Sequence, residues 1–254
     1  TDAPPYAFTA ANDVVLSGTG TKAGFDGAGT VTYAGTISGS GSLVKNGSGD
    51  AVLGAANTFA GSIQINAGRL LVSDDNQLGD SANTVTVSGG YLGNAGGAAV
   101  ALSRDVAVSA GGFDVSSGTF TLNGVVSGTG VKRGAGTLAL GGALANGAFD
   151  LEVAAGVAVL GKSGAQAVRH VLGVATGAVV RLAGNGGDQI GGNAALTGGT
   201  LDLNGLSEAV GTLVSTSLAS TVANQGAAAA LTVGASNVVS VYYGSLAGAA
   251  LTLA

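Results

Sequence analysis

Residues 35–54 read Gly-Thr-Ile-Ser-Gly-Ser-Gly-Ser-Leu-Val-Lys-Asn-Gly-Ser-Gly-Asp-Ala-Val-Leu-Gly, and residues 124–141 read Gly-Val-Val-Ser-Gly-Thr-Gly-Val-Lys-Arg-Gly-Ala-Gly-Thr-Leu-Ala-Leu-Gly. The two stretches align with a two-residue deletion in the second, which places Lys45 opposite Lys132. The glycines after the lysine also match, namely Gly47, Gly49 and Gly54 with Gly134, Gly136 and Gly141. Self-similarity over such a distance indicates a repeat architecture with several strands in each repeat.

Short triplets of the form apolar, small or polar, apolar recur along the whole chain at intervals of roughly a dozen residues. Alternation of this kind places one face of a strand in the core and the other in water. Strands this short cannot support a sandwich with a deep core, whereas a solenoid buries each apolar face against the next turn. Examples of the triplets are Val31-Thr32-Tyr33, Ile63-Gln64-Ile65, Val85-Thr86-Val87, Val106-Ala107-Val108, Phe120-Thr121-Leu122, Leu138-Ala139-Leu140, Leu201-Asp202-Leu203 and Leu251-Thr252-Leu253.

Glycine pairs separate the triplets, and we expect them to supply the positive φ angles of tight turns. These pairs include Asn46-Gly47, Gly89-Gly90, Asn123-Gly124 and Gly198-Gly199. About 20 strands at three per turn predict on the order of seven to ten turns, with a rod roughly 35–50 Å long. The one stretch that could form a helix is Gln166 to Leu172.

The composition excludes several functional classes. Only 9% of the residues are charged and the nine Lys and Arg are scattered, which argues against nucleic-acid binding. The chain has no cysteine, so a disulfide scaffold and a thiolate zinc site are excluded. Absence of cysteine also suits a chain that is exported unfolded through an oxidising compartment.

The repeat region closely resembles the autotransporter-associated β-strand repeat of type V secretion proteins. The resemblance is carried by Gly35 to Leu53 and by the segments that follow it, and it is weak around residues 142–185. The further segments are Ala56-Asn57-Thr58-Phe59-Ala60-Gly61, Ile65-Asn66-Ala67-Gly68-Arg69-Leu70, Asp75-Asn76-Gln77-Leu78-Gly79, Thr197-Gly198-Gly199-Thr200-Leu201-Asp202-Leu203-Asn204-Gly205 and Val210-Gly211-Thr212-Leu213.

This resemblance implies an all-β, right-handed parallel β-helix with little or no helix, exposed at the surface of a Gram-negative bacterium after export through the periplasm. It implies a passenger or part of one, because the membrane barrel of the family is not recognisable in the sequence. The repeat brings no catalytic, cofactor or metal residues with it. We assign residues 1–30 to a tail with capping strands and 31–254 to the β-helix, with repeat copies near 35–92 and 124–160 and a truncated copy from Tyr242.

Residues 156–163, Gly-Val-Ala-Val-Leu-Gly-Lys-Ser, match the P-loop pattern letter for letter. A P-loop needs a flexible loop before a helix N-terminus, so that backbone amides can surround phosphate. Here the residues between the glycines are apolar and read as a strand. We therefore interpret the match as a strand followed by a turn, with Lys162 at the surface.

Two acidic stretches have a distant likeness to calcium loops. Residues 183–190 resemble one β-roll nonapeptide, but β-rolls assemble their oxygen ligands from tandem copies and only one copy is present. Residues 73–80, Ser-Asp-Asp-Asn-Gln-Leu-Gly-Asp, lack the terminal bidentate glutamate and the spacing of an EF-hand. We expect no metal at either stretch.

Catalytic chemistry has few candidates. His170 is the only histidine, and alternation around it predicts that Arg169 or His170 faces solvent. A polysaccharide-cleaving site would need clustered acids with an arginine, and the nearest approximation is Asp150 and Glu152 with Arg169 or Arg181 one turn later. We predict that the chain is not an enzyme and needs no cofactor.

No charged residue follows Glu208, yet polar residues interrupt the apolar runs and exclude a membrane-spanning helix. An uncharged end of a solenoid exposes unpaired backbone, so we expect self-association through residues after about 238. Lysines at Ser245 and Thr252 should suppress it.

The function that we predict is a non-catalytic passenger domain, acting as a structural shaft or as an adhesin. Its partner would be a host or bacterial surface receptor or a glycan. One alternative is a surface layer or filament built by end-to-end stacking. A second alternative is a β-helical polysaccharide lyase or hydrolase.

Overall fold

The computed structural model describes residues 7–184, 188–234, 238–248 and 250–254. It is an all-β parallel solenoid of about 11 turns with about 3% helix. Two short 3₁₀ segments, Asp75–Leu78 and Ala95–Gly97, are the helical elements of these residues. The strands are β1 (Ala7–Ala10), β2 (Val14–Leu16), β3 (Lys22–Phe25), β4 (Thr30–Tyr33), β5 (Ile37–Gly39), β6 (Ser42–Lys45), β7 (Asp50–Leu53), β8 (Ile63–Ile65), β9 (Arg69–Val72), β10 (Val85–Asn94), β11 (Val100–Leu102), β12 (Val106–Asp114), β13 (Thr119–Leu122), β14 (Val126–Arg133), β15 (Thr137–Leu140), β16 (Phe149–Val153), β17 (Val157–Leu160), β18 (Val171–Ala175), β19 (Val179–Leu182), β20 (Asn193–Thr197), β21 (Thr200–Asp202), β22 (Glu208–Val210), β23 (Leu213–Ser215), β24 (Thr221–Ala223), β25 (Ala229–Val233), β26 (Ser245–Ala247) and β27 (Leu251–Leu253).

Each strand pairs in parallel with the equivalent strand one turn away. Partner residues lie from 18 positions apart, as in Thr119 with Thr137, to 24 positions apart, as in Thr221 with Ser245. The largest sheet contains 14 strands and the next contains 8. With strands about 4.8 Å apart, about 11 turns give a rod about 50 Å long.

Three longer strands, β10, β12 and β14, join two faces of the solenoid. The first half of β10 pairs with β8 and its second half pairs with β9, so the strand passes through a corner without a break. The register of β10 against β12 shifts at this corner, between Val87 and Tyr91 of β10. The faces formed by β3-β6-β8 and by β1-β4-β7-β9 therefore merge into one sheet.

The core is a set of stacked apolar columns inside the coil. In one column the register places Phe120 on Leu138, then Ala158, Val180, Leu201 and Val222, and each of these residues is buried. Full burial of one such side chain stabilises the fold by roughly 1.5–3 kcal/mol. The alternation seen in the sequence is therefore the alternation between this interior and the outer surface.

The corner glycines play a different role from the one that we predicted for most of them. Of the pairs named above, only Gly198 has a positive φ, of 115°. At Gly47 a Cβ atom would lie 2.1 Å from the carbonyl oxygen of Gly27, and at Gly124 it would lie 2.2 Å from that of Arg104. These positions require glycine because the backbone of the neighbouring turn passes too close for a side chain.

Two further expectations need correction. The structure has more turns than the seven to ten predicted, because the described residues form 27 strands over about 11 turns, which is fewer than the three strands per turn that we assumed. Residues 166–170 form bends and an isolated bridge from Val168 to Ile190, and Val171 begins β18, so the proposed helix at Gln166 to Leu172 is wrong. In the N-terminal 30 residues, β1, β2 and β3 pair with the next turn.

Candidate functional site

Lys45 and Lys132 have buried side chains at equivalent corners of the solenoid. The ammonium of Lys132 donates to the carbonyl oxygens of Gly134, Gly136 and Ala155 at 2.5, 2.6 and 2.8 Å. Lys45 donates to the carbonyls of Gly47 and Ala67. Each lysine thus ties its own glycine corner to the next turn.

The charge of these lysines is solvated by peptide dipoles. Burial lowers the pKa of Lys132 to about 8, and the Asp114 carboxylate opposes this shift. Burial also lowers the pKa of Lys45, with Asp50 and Asp26 opposing. Three carbonyl acceptors match the three N–H bonds of an ammonium, so Lys132 is a buried cation at neutral pH.

Lys162, the lysine of the P-loop match, is also buried, and the prediction that it lies at the surface is wrong. Its ammonium donates to the carbonyl oxygens of Gly141 at 2.8 Å and Gly124 at 3.2 Å. Residues Val157–Leu160 form β17, as the sequence indicated. Because the lysine is engaged inside the coil, it is not placed to contact a phosphate.

A second set of buried polar residues joins successive turns through side-chain amides. The Oδ1 atom of Asn57 accepts the amide of Ile37 at 2.7 Å, and its Nδ2 donates to the carbonyl of Gln77 at 2.5 Å. Asn146 accepts the amide of Val126 at 2.9 Å and donates to the carbonyl of Ala167 at 2.7 Å. Each asparagine satisfies one donor and one acceptor that the corner leaves unpaired.

The acidic stretch at residues 73–80 surrounds an arginine. The Arg104 side chain is 2% exposed, and its Nε donates to the carboxylate of Asp75 at 2.7 Å. The same guanidinium donates to the carbonyl oxygens of Asp75, Leu78, Asp80 and Asn83. The Asp75 carboxylate is thus occupied by Arg104, and the carboxylates of Asp74 and Asp80 accept the backbone amides of Asn76 and Ala82.

An ionic ladder runs over the outer surface of the early turns. Arg69 forms a bidentate pair with Asp50 and lies 3.3 Å from Asp114, which also binds Arg133 at 3.0 Å. The Arg133 guanidinium stacks 3.4 Å from the centre of the Tyr91 ring. Sequence reasoning missed this ladder, although opposite charges one turn apart were a readable signal.

A groove with a volume of about 470 Å³ lies across three successive turns, the first of which falls in the stretch where the repeat resemblance is weak. We call it the outer groove, and it is lined by Gln166, Arg169, His170, Val171, Asp188, Ile190, Gly191, Gly192, Asn193, Ala209 and Gly211. Both Arg169 and His170 are exposed, as the sequence predicted for at least one of them. His170 Nδ1 lies 3.7 Å from Asp150 Oδ1.

The candidate polysaccharide-cleaving residues are only partly brought together. Asp150 and Glu152 share the outer face of β16, as predicted, and a shallow depression beside them contains Val171. The Oδ1 atom of Asp150 already accepts the amide of Val171 at 2.9 Å. Arg181 lies on β19 in the other large sheet, where it binds Asp202 at 2.9 Å. The expected arginine on the same wall is therefore not Arg181.

Behind the outer groove lies a buried acid that sequence reasoning did not single out. Glu208 is 2% exposed, and its two carboxylate oxygens accept the amides of Gln189 and Ile190, both at 2.9 Å. Burial raises the pKa of Glu208 to about 7, while the amides of Gln189, Ile190 and Ala209 oppose the shift and Asp188 adds to it.

The remaining candidates give no further site. The calcium-like stretch at residues 183–190 cannot be placed as a whole, because residues 185–187 lie outside the described part of the chain. Across the described ranges, no group of three or more His, Asp or Glu side chains is arranged to hold a metal ion. No helix within these ranges has the length and hydropathy needed to cross a membrane.

The last turns have an apolar outer surface. Val239, Val241 and Tyr243 are exposed at alternate positions, and Leu218 earlier in the chain is also exposed. The segment pairs with β23, because Ser215 donates its amide to the carbonyl of Val241 at 2.8 Å. The segment is thus attached to the edge of the large sheet by an isolated parallel bridge between Ser215 and Tyr242.

Comparison with known proteins gives two matches. Residues 43–72 match the family model of the passenger-associated-transport-repeat. These residues include the Lys45 corner, Asn57 and Arg69 of the ionic ladder. This segment thus has the sequence pattern of a passenger-associated transport repeat.

A curated relative of these repeats is the adhesin BmaC autotransporter of Brucella suis biovar 1 (strain 1330), which is 34% identical over 137 residues. The alignment covers 52% of this chain and 4% of the relative, so the chain spans a small part of that protein's length. No solved structure gives a significant match. The family match thus includes the Lys45 corner, whereas the residues that line the outer groove lie outside residues 43–72.

Proposed function

We propose that this passenger segment is a non-catalytic shaft at the surface of a Gram-negative bacterium and contributes to adhesion. The observation that carries the shaft is the continuous parallel ladder of about 11 turns. Each corner described above joins two turns by hydrogen bonds from buried polar side chains. A stack cross-linked in this way resists bending because no turn can move without breaking contacts with its neighbours.

The adhesive part of the proposal is supported by the name of the Brucella relative. The outer groove offers the most distinctive polar surface for a partner, with an arginine, a histidine and an aspartate beside one another. The partner would be a receptor or a glycan on a host or bacterial surface. Catalysis by Asp150 is disfavoured because its carboxylate is held by a backbone amide.

Beads coated with the folded chain test this proposal on cultured host cells and on bacterial lawns. We expect greater retention than with beads that carry the heat-denatured chain. Equal retention would contradict an adhesive role. Incubation with acidic and neutral polysaccharides tests the second alternative, and release of new reducing or unsaturated ends would overturn the non-catalytic assignment.

The end-to-end filament is the runner-up, and the exposed row of Val239, Val241 and Tyr243 favours it. An uncharged apolar segment at a sheet edge is a surface to which another chain can pair. The self-association test in the Discussion separates this alternative from a monomeric shaft.

A further inference from the structure

Glu208 is a buried carboxyl group with no cationic partner among the described residues. It begins β22, and its oxygens face the backbone amides of Gln189 and Ile190 in the preceding turn. Ile190 and Ala209 line the outer groove. The carboxyl group therefore lies directly beneath the floor of that groove.

The charged groups around Glu208 do not neutralise it. Asp188, in the preceding turn, is a second acid whose carboxylate accepts the amide of Ala209 at 3.0 Å. The following strand, β25, contains no titratable residue, and residues 185–187 are Asn-Gly-Gly. Lys162 directs its ammonium to the carbonyls of Gly124 and Gly141, on the side of the earlier turns. Arg169 and His170 lie on the solvent side of the groove and are exposed.

Other corners use a neutral side chain for the same task. Asn57 and Asn146 each accept a backbone amide from the preceding turn, as Glu208 does, but they carry no charge. An ionised carboxylate at this place must give up its hydration without gaining an opposite charge. Proton binding removes this penalty while an oxygen remains to accept an amide.

We propose that Glu208 is a proton-operated stabiliser of the turn beneath the outer groove, so that this part of the solenoid becomes more stable as the medium is acidified. The inference goes beyond the shaft and adhesin proposal and does not depend on it. The ligand involved is the proton, and the acceptor is the Glu208 carboxylate.

The direction of the effect follows from the pKa. Burial raises the pKa of Glu208 from 4.5 to about 7, and Asp188 adds to this shift against the opposing amides of Gln189, Ile190 and Ala209. The folded state therefore holds the proton roughly 300-fold more tightly than the unfolded state. The stabilisation is fully present below about pH 4.5 and is lost as the pH rises through about 7.

The chain allows a direct test because Glu152 and Glu208 are its only two glutamates. Labelling glutamate with ¹³C at the side-chain carboxyl should give two resonances, with exposed Glu152 as the internal reference. We expect the Glu208 resonance, assigned with Glu152→Gln, to titrate with a midpoint near 7. A Glu208 midpoint at or below about 5 would overturn the proposal.

Unfolding at pH 5 and pH 8 provides the second test. We expect the protonation of Glu208 to make the unfolding equilibrium constant of the unmodified chain at least tenfold larger at pH 8 than at pH 5. This contribution should be absent in Glu208→Gln. The matched control is Asp105→Asn, since Asp105 also accepts a backbone amide from a neighbouring turn, that of Val125 at 2.8 Å. An equal pH dependence in the Glu208→Gln variant and the unmodified chain would contradict the proposal. Should that variant not fold, Asp188→Asn should lower the midpoint of the Glu208 resonance, and an unchanged midpoint would contradict the role of Asp188.

Discussion

Lys45 and Lys132 occupy the same corner in two different turns, and each donates its ammonium to the carbonyl oxygen of the glycine two positions later. A glycine of the next turn covers each ammonium, Gly68 over Lys45 and Gly156 over Lys132, and both have a positive φ. A Cβ atom there would lie 2.6 Å from the Lys45 nitrogen and 2.5 Å from that of Lys132. The repeat thus encodes a lysine, its carbonyl acceptors and the glycine that makes room for it.

Replacing Lys132 by methionine should destabilise the fold by about 2–4 kcal/mol, because three buried carbonyl groups lose their donor. Urea unfolding of Lys132→Met against the unmodified chain measures this. The matched control is Lys22→Met, since Lys22 is exposed on β3 and its replacement should change stability by less than about 0.5 kcal/mol. Equal effects of the two substitutions would show that the buried corner does not depend on its lysine.

ATP with magnesium should leave the melting temperature unchanged, because Lys162 is bound to Gly124 and Gly141 inside the coil. Lys162→Ala should nevertheless lower stability by about 1–3 kcal/mol, since those carbonyls lose their donor. Thermal unfolding with and without nucleotide measures both effects. A magnesium-dependent rise with ATP that vanishes in the variant would contradict the buried position.

Removing calcium with a chelator should not alter stability, because Arg104 already fills the acidic loop at residues 73–83. Arg104→Met should destabilise the fold by about 3–5 kcal/mol, since it leaves the Asp75 carboxylate and four carbonyl groups without their hydrogen-bond donor. Arg169→Met is the control, because Arg169 is exposed. Chelator-dependent melting of the unmodified chain would indicate a metal and contradict this account.

Self-association remains a prediction, and the structure sharpens where it should occur. Val239, Val241 and Tyr243 are exposed in one short segment, and no charged residue lies near them in sequence. Sedimentation velocity at rising concentration should show oligomers of the unmodified chain. Lysine at Ser245 and Thr252, or at Val241 and Tyr243, should suppress them, whereas Thr119→Lys on a central strand should not. A monomer at every concentration would exclude this surface as a contact between copies.

Much of the fold could be predicted because period-2 alternation and the lysine-glycine repeat report directly on stacking. The equivalence of Lys45 and Lys132 in the two repeat copies followed from aligning the sequence with itself. Their burial did not, since lysine is rarely buried and the carbonyl cage forms only when two turns meet. Asp50 and Arg69 are one turn apart, as are Asp114 and Arg133. The ionic ladder could therefore have been predicted from the sequence if the turn length had been known. Arg104 could not be placed, because its loop acceptors depend on how residues 73–83 fold back.

The account depends most on the stacking of one turn on the next, and spin-label distances along one column test that most directly. Parallel register connects Ala101 to Ala247 through seven successive pairings, by way of Thr121, Ala139, Val159, Arg181, Asp202 and Ala223. The absence of native cysteine allows clean labelling of engineered cysteines. From a label at Ala101, we predict about 14 Å to Val159 and about 34 Å to Ala247, a rise of about 4.8 Å per turn. Distances that fail to increase with the number of turns would contradict the solenoid and the shaft built on it.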